Sequence, residues 1–312
     1  MTEPIDTADV VLADEDWRVT LAPADGMLIR EASDARTGAA ALWRCPAPAP
    51  PARSRALPPP GPQSLDSFWD IFAGGWFPMF PAAGFTGELD GAPTTFHGEL
   101  NRLPWEVVER GPSWIAARVE TVRAPFAVVR RVALEGGELR VETAVENTGP
   151  APASYMYGEH PCLWRTTFAG GRLLLDAARA WVPAPSFTPE RAILRPGERF
   201  DWPTAAGHAG PVDLSLVPAQ PDGRRDHACV ELADPSIRVT APRFGRELTI
   251  EVDLAATPYL LLSSGFDDEW DMLAVEPISA PGRSVDDALE AGCVRTLAPG
   301  ARMRTAIALR WS

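Results

Sequence analysis

The 312-residue sequence predicts a mainly β protein, a large antiparallel β-sandwich. Three observations lead there. Apolar and polar residues alternate with period two over many short runs, the pattern of half-buried strands. Gly, Pro and Asn punctuate those runs, as turns between strands require. Long amphipathic helical stretches are absent, so the apolar faces must be buried sheet against sheet.

The runs can be taken in order. Residues 114–122 read WIAARVETV, 126–134 FAVVRRVAL and 139–145 LRVETAV. After a stretch richer in Gly and Pro come 248–254 (LTIEVDL), 259–263 (YLLLS), 272–275 (MLAV) and 305–311 (TAIALRW). Residues 285–291 suit one short helix. Residues 46–62, PAPAPPARSRALPPPGP, are too rich in proline for an interior strand and are expected to form a loop of polyproline character. No linker or internal repeat divides the chain, so a single domain over residues 1–312 is expected.

Composition narrows the function. An apolar fraction of 46% and a charged fraction of 23% are those of a soluble globular protein. A formal charge of −13 with no Lys argues against nucleic acid, whose phosphates are bound by Lys and Arg. No run is long enough to span a membrane. The acidic N-terminus lacks the basic start of a secretory signal, so a cytoplasmic location is expected. Four cysteines without a CxxC pair are expected to be free thiols rather than a metal or redox motif.

Four segments concentrate the chemistry: residues 74–84 (GGWFPMFPAAG), 96–107 (FHGELNRLPWEV), 157–161 (YGEHP) and 273–277 (LAVEP). His97 lies beside Gly98, which lets a ligand or backbone come close. His160 lies between aromatic residues and Pro161, at an expected strand end beside a turn. Its neighbour Glu159 would point the other way in a strand. Glu276 follows an apolar run that Pro277 is expected to end, and at such a strand end desolvation raises a carboxyl pKa; a salt bridge to Arg is the competing explanation. His208 and His227, in polar surroundings, are expected at the surface. Of eleven Trp, most are expected in the core, but Trp76, Trp105 and Trp164 fall in or beside these segments, and indole faces suit sugar rings. The residues suggest acid/base chemistry on a neutral polar small molecule, with Arg44, Arg102 and Arg165 the arginines that would gather at a cleft for an anionic one.

Taken together and in order, the four segments resemble those of the aldose 1-epimerase (galactose mutarotase-like) family. The resemblance runs from about residue 10 to the C-terminus and is concentrated in these segments. It implies a galactose mutarotase-like supersandwich that interconverts the α and β anomers of an aldose without metal or other cofactor. It places His160 on the catalytic acid, Glu276 on the catalytic base and His97 on a substrate contact. Trp76, Asp213 and Arg102 are the further substrate-binding candidates. Phe77 and Glu159 depart from the family pattern, and the family's substrate-binding arginine has no clear match. A sugar-binding protein without catalysis on the same fold is the alternative; a polysaccharide lyase fits less well.

Overall fold

The computed structural model of the chain describes residues 9–46, 57–59, 61–186 and 188–312. Most of the proline-rich segment, residues 47–56 and Pro60, lies outside the described residues.

Each of the seven alternating runs is a strand: Trp114–Glu120, Phe126–Glu135, Glu138–Asn147, Arg246–Val252, Tyr259–Phe266, Asp271–Ile278 and Arg302–Trp311. Alternation sets which side chains turn inward. In Glu138–Asn147 every second residue, from Leu139 to Asn147, is buried. This strand pairs with Phe126–Glu135 through a two-residue turn, Gly136–Gly137. Both glycines have positive φ, 61° and 82°, which a tight hairpin of matching twist needs. The expected short helix is present as Val285–Glu290, with the Ser284 side chain accepting the Asp287 N–H as its cap.

Two antiparallel sheets carry the architecture. The ten-stranded sheet runs from Val10–Ala13 through Trp76–Met79, Gly158–Trp164, Asp271–Ile278, Tyr259–Phe266 and Arg225–Leu232 to Arg199–Phe200 at the far edge. The eight-stranded sheet has Glu138–Asn147 and Arg302–Trp311 at its centre. The largest apolar cluster fills the space between them, with Trp17, Trp76, Val128, Val141, Leu262 and Val275 among its buried members. Within it, Arg130 reaches from the eight-stranded sheet to Glu159 on the ten-stranded sheet.

A second apolar cluster, including Phe68, Phe77, Phe96, Leu261 and Ile278, lies on the other face of the ten-stranded sheet. The sheet is thus covered on both sides, and its strands read as nearly continuous apolar runs for that reason. The burial pattern of Asp271–Ile278 is buried at every position after the first.

Two expectations about strand ends need correction. Pro161 and Pro277 do not end their strands; both lie inside them, in Gly158–Trp164 and Asp271–Ile278. Between these strands the paired residues are Gly158 with Ile278 and then Cys162 with Ala274, with no pair between. A proline has no N–H to give to a ladder, so the sheet opens where prolines sit. On that register His160 stands across from Glu276 in the middle of the gap.

Candidate active site

Alternation decides what each strand offers on the outer face of the ten-stranded sheet. Glu276 pairs with Leu261, and Ser263 pairs with Ala274 on one side and His227 on the other. His160 pairs with Phe77 on its other edge. Phe77, His160, Glu276, Ser263 and His227 therefore come from five adjacent strands and share one face.

The central contact joins His160 Nε2 to Glu276 Oε1 at 3.4 Å, with both side chains almost wholly buried. The His160 ring stacks on Phe77 with centroids 4.5 Å apart and planes 17° from parallel. Its Nδ1 lies 3.2 Å from the sulfur of Cys162. With the ring proton on Nδ1, the Nε2 lone pair is left for Glu276.

His97 reaches the same place from a loop. Its φ of 58° is left-handed, unusual for a non-glycine residue and the kind of strain found at functional sites. Two bonds hold it: its N–H donates to the Gly84 carbonyl at 2.9 Å, and the Gly84 N–H donates to its Nδ1 at 3.2 Å. Neutral His97 then carries its proton on Nε2. Gly84 has no alternative here, since a Cβ would lie 2.0 Å from the Arg283 carbonyl oxygen. The His97 and His160 rings meet edge to face at 5.2 Å.

Burial governs protonation. It pushes His160 down to about 3, outweighing the lift from the carbonyl of its own residue. It also pushes His97 well below the ordinary value, helped by His160 and Arg102. Burial alone drives Glu276 well above the ordinary carboxylate range. The pair therefore favours a neutral imidazole facing a protonated carboxyl. This protonation runs opposite to the roles that the resemblance implies.

The cavity bounded by His97, His160, His227, Ser263, Glu276 and Arg283 has a volume of about 50 Å³. Small-molecule sites usually start near ~300 Å³. Aromatic rings take up the difference. The Pro62–Trp69 helix and the turn after it bring Phe68, Trp69 and Phe72 over the cavity. Phe68 packs on His97 with centroids 5.0 Å apart, Phe72 on His160 at 6.0 Å, and Trp69 on Trp270 at 5.2 Å. Two larger open clefts, of about 870 and 850 Å³, hold none of these histidines and not Glu276. Among the described residues no group of three or more His, Cys, Asp or Glu is arranged to hold a metal.

The structure brings His97, His160 and Glu276 together, but not the other candidates. Trp76 is fully buried on the core face, where its indole N–H donates to Glu159 Oε2 at 2.7 Å. Trp105 donates to the Leu100 carbonyl and Trp164 to Asp271. The indoles at the cavity are instead Trp69 and Trp270. Asp213 is elsewhere, held by Ser215 and by Arg172 at 3.3 Å. Arg102 is buried with Nη2 3.4 Å from Ser67 Oγ and acts on His97 through its charge without lining the cavity. Arg44 pairs with Glu31, and Arg165 with Asp271 and the carbonyls of Pro218 and Ala219. His208 is exposed as expected, but His227 lines the cavity with Nε2 3.1 Å from Ser263 Oγ. Sequence reasoning missed His227 and Arg283. The alternation of RDHACVEL on a strand was the only available sign for His227, and Arg283 had none.

No protein-family model and no curated protein sequence matches the chain. Solved structures do match in fold. A protein from Synechocystis sp. superposes with a TM-score of 0.72 at 18% identity, covering 100% of this chain and 98% of that one. A galactose mutarotase-like protein from Lactobacillus casei gives 0.67 at 16%, covering 98% and 100%. A protein of Escherichia coli provisionally described as an aldose 1-epimerase gives 0.69 at 17%, covering 98% and 99%. At these identities the likeness is one of fold: the chain has the galactose mutarotase-like sandwich.

Proposed function

We propose that the protein interconverts the α and β anomers of an aldose, or of a modified aldose, by acid/base ring opening and closure. The observation that carries this reading is the buried His160–Glu276 pair, 3.4 Å apart, with His97 beside it. Mutarotation needs one group that gives a proton to the ring oxygen and one that takes a proton from the anomeric hydroxyl. It needs no redox change and no covalent intermediate.

The pair supplies both roles with one dissociable proton. In the ring-closed state Glu276 holds that proton and the Nε2 of His160 is free to accept. Glu276 donates to the ring oxygen as the bond from the anomeric carbon to that oxygen breaks. His160 accepts the anomeric proton as the carbonyl forms. Rotation about the adjacent carbon–carbon bond presents the other face of the aldehyde. Closure then returns the proton of the open-chain hydroxyl to Glu276, and His160 gives its proton to the carbonyl oxygen. Both groups end as they began. Positioned acid and base groups of this kind are worth about 100- to 10,000-fold in rate. The His97 Nε2–H, pointing away from Gly84, is a donor for a sugar hydroxyl.

Anomer-resolved proton NMR on a panel of aldoses tests the reading. Freshly dissolved α-aldose should reach its equilibrium mixture faster with protein than in buffer, for at least one sugar. No acceleration with any aldose, combined with measurable sugar binding, would favour a non-catalytic carbohydrate-binding protein.

A further inference from the structure

The candidate site contains a cation that the chemistry above does not use. Arg283 follows the Asp271–Ile278 strand and immediately precedes the cap of the Val285–Glu290 helix. It lines the cavity that holds His160 and Glu276. Its position is fixed: its carbonyl accepts the Phe85 N–H at 2.6 Å, and its guanidinium lies over the Phe85 ring at 5.5 Å.

What the guanidinium lacks, among the described residues, is a carboxylate in salt-bridge contact with it. Its Nε is buried with no hydrogen-bond partner among the described residues. The nearby carboxylate of Asp287 accepts the Arg283 main-chain N–H at 2.8 Å rather than pairing with the side chain. Burial outweighs the pull of Asp287, so the Arg283 pKa is lowered. A half-buried cation has lost part of its hydration, and an anionic ligand would give it a partner. Of the other titratable groups of the cavity only Glu276 is able to bring negative charge, and burial pushes its pKa up, against the charged form. Arg44 and Arg165, the arginines that would have served instead, are paired elsewhere.

We propose that Arg283 forms an anion subsite of this pocket, so that the sugar it takes carries an oxyanion, foremost a carboxylate, at the end of the ring away from the anomeric carbon. This rests on the anomer-interconversion reading for the placement of the anomeric end at His160 and Glu276. Arg283 acts on His227 through its charge. The His227 strand lies two strands from that of Glu276, about 10 Å across the sheet. A ring with its anomeric hydroxyl at His160 and its ring oxygen at Glu276 thus directs the substituent beyond that oxygen towards Ser263, His227 and Arg283. The planar guanidinium matches a carboxylate with two parallel N–H donors. The Ser263 hydroxyl and the His227 imidazole offer it polar neighbours at the sheet surface.

The test compares glucose, glucuronate and glucose 6-phosphate at pH 7 with wild type, Arg283→Gln and Arg283→Lys, by anomer-resolved NMR and by calorimetric binding. We expect wild-type kcat/KM for glucuronate to exceed that for glucose by about tenfold or more, and Arg283→Gln to collapse that ratio to about one, with Arg283→Lys between. A lead for glucose 6-phosphate that also depends on Arg283 supports the anion subsite and assigns it to phosphate. Neutral glucose handled as well as both anions by wild type overturns the subsite while leaving the epimerase reading intact. If no sugar is turned over, the epimerase reading falls and binding decides. Glucuronate or the phosphate held about tenfold tighter than glucose, and released by Arg283→Gln, supports the subsite. Equal or absent binding overturns it. Should Arg283→Gln fail to fold, the wild-type ratio and the lysine variant give the same decision.

Discussion

Glu159 and His160 are consecutive in the chain and serve opposite faces of the ten-stranded sheet. Glu159 turns into the core between the sheets, where Arg130 grips it through both terminal nitrogens, with Tyr157 and Trp76 as further donors. His160 turns outward onto Glu276. One strand position separates a structural carboxylate from the proposed chemistry.

The first prediction concerns that structural carboxylate. Arg130→Met leaves Glu159 buried without its cation. Removing one partner of a buried pair should lower the unfolding free energy by about 3–5 kcal/mol. Urea denaturation gives the number, and a loss below about 1 kcal/mol would show that the pair is not a keystone of the core.

Glu276→Gln preserves shape and removes the proton donor. Turnover should fall by about 100-fold or more while sugar still binds. His160→Asn should do the same by removing the acceptor. The double variant should lose far less than the product of the two singles, since neither group works without the other. Wild-type rates with Glu276→Gln on every responsive sugar would make Glu276 a structural residue.

His97→Asn tests positioning. Asparagine tolerates the left-handed backbone that His97 adopts, so the loop should survive. KM should rise by about tenfold with a smaller change in kcat, because His97 is placed as a substrate contact rather than as a proton-transfer group. A loss confined to kcat contradicts this.

The pH dependence follows from the direction of each shift. The active form has one proton on the pair. It is lost on the acid side as His160 protonates, near its lowered value of about 3. It is lost on the alkaline side as Glu276 ionises, above the ordinary carboxylate range. The rate should therefore stay flat down through pH 6, where an unperturbed histidine would already be protonating. Nitrogen-15 NMR of labelled histidine should find His160 neutral at pH 7. An imidazolium signal there would restore the role of acid to His160 and of base to Glu276.

The small cavity predicts motion on binding. A space of about 50 Å³ admits no sugar ring, so Trp69 or its neighbours on the helix must shift. Trp69 packs against Trp270 at 5.2 Å, so sugar binding should change tryptophan emission. The change should disappear in Trp69→Phe combined with Trp270→Phe. A signal that survives in the double variant places the movement elsewhere.

The fold was legible because alternation is a local property. Residues 126–134 and 139–145 carry the two-residue period themselves, and the Gly136–Gly137 turn between them fixes their pairing. The reversal between Glu159 and His160 was legible for the same reason. The prolines misled, since Pro161 and Pro277 read as strand ends and instead lie where the ladder opens around the pair.

What sequence alone determined was the fold class, seven of the strands and, through the resemblance of four short segments, the grouping of His97, His160 and Glu276. What only the tertiary structure decided was which other side chains meet them. Trp76 faced the core and Asp213 joined Arg172, while Trp270, His227 and Arg283 arrived at the cavity. Strand order and loop packing set these neighbours, and both depend on contacts between residues far apart in the chain. The direction in which the pKa of His160 and of Glu276 is pushed was likewise decided there, because desolvation is a property of everything packed around a group and not of its neighbours in sequence.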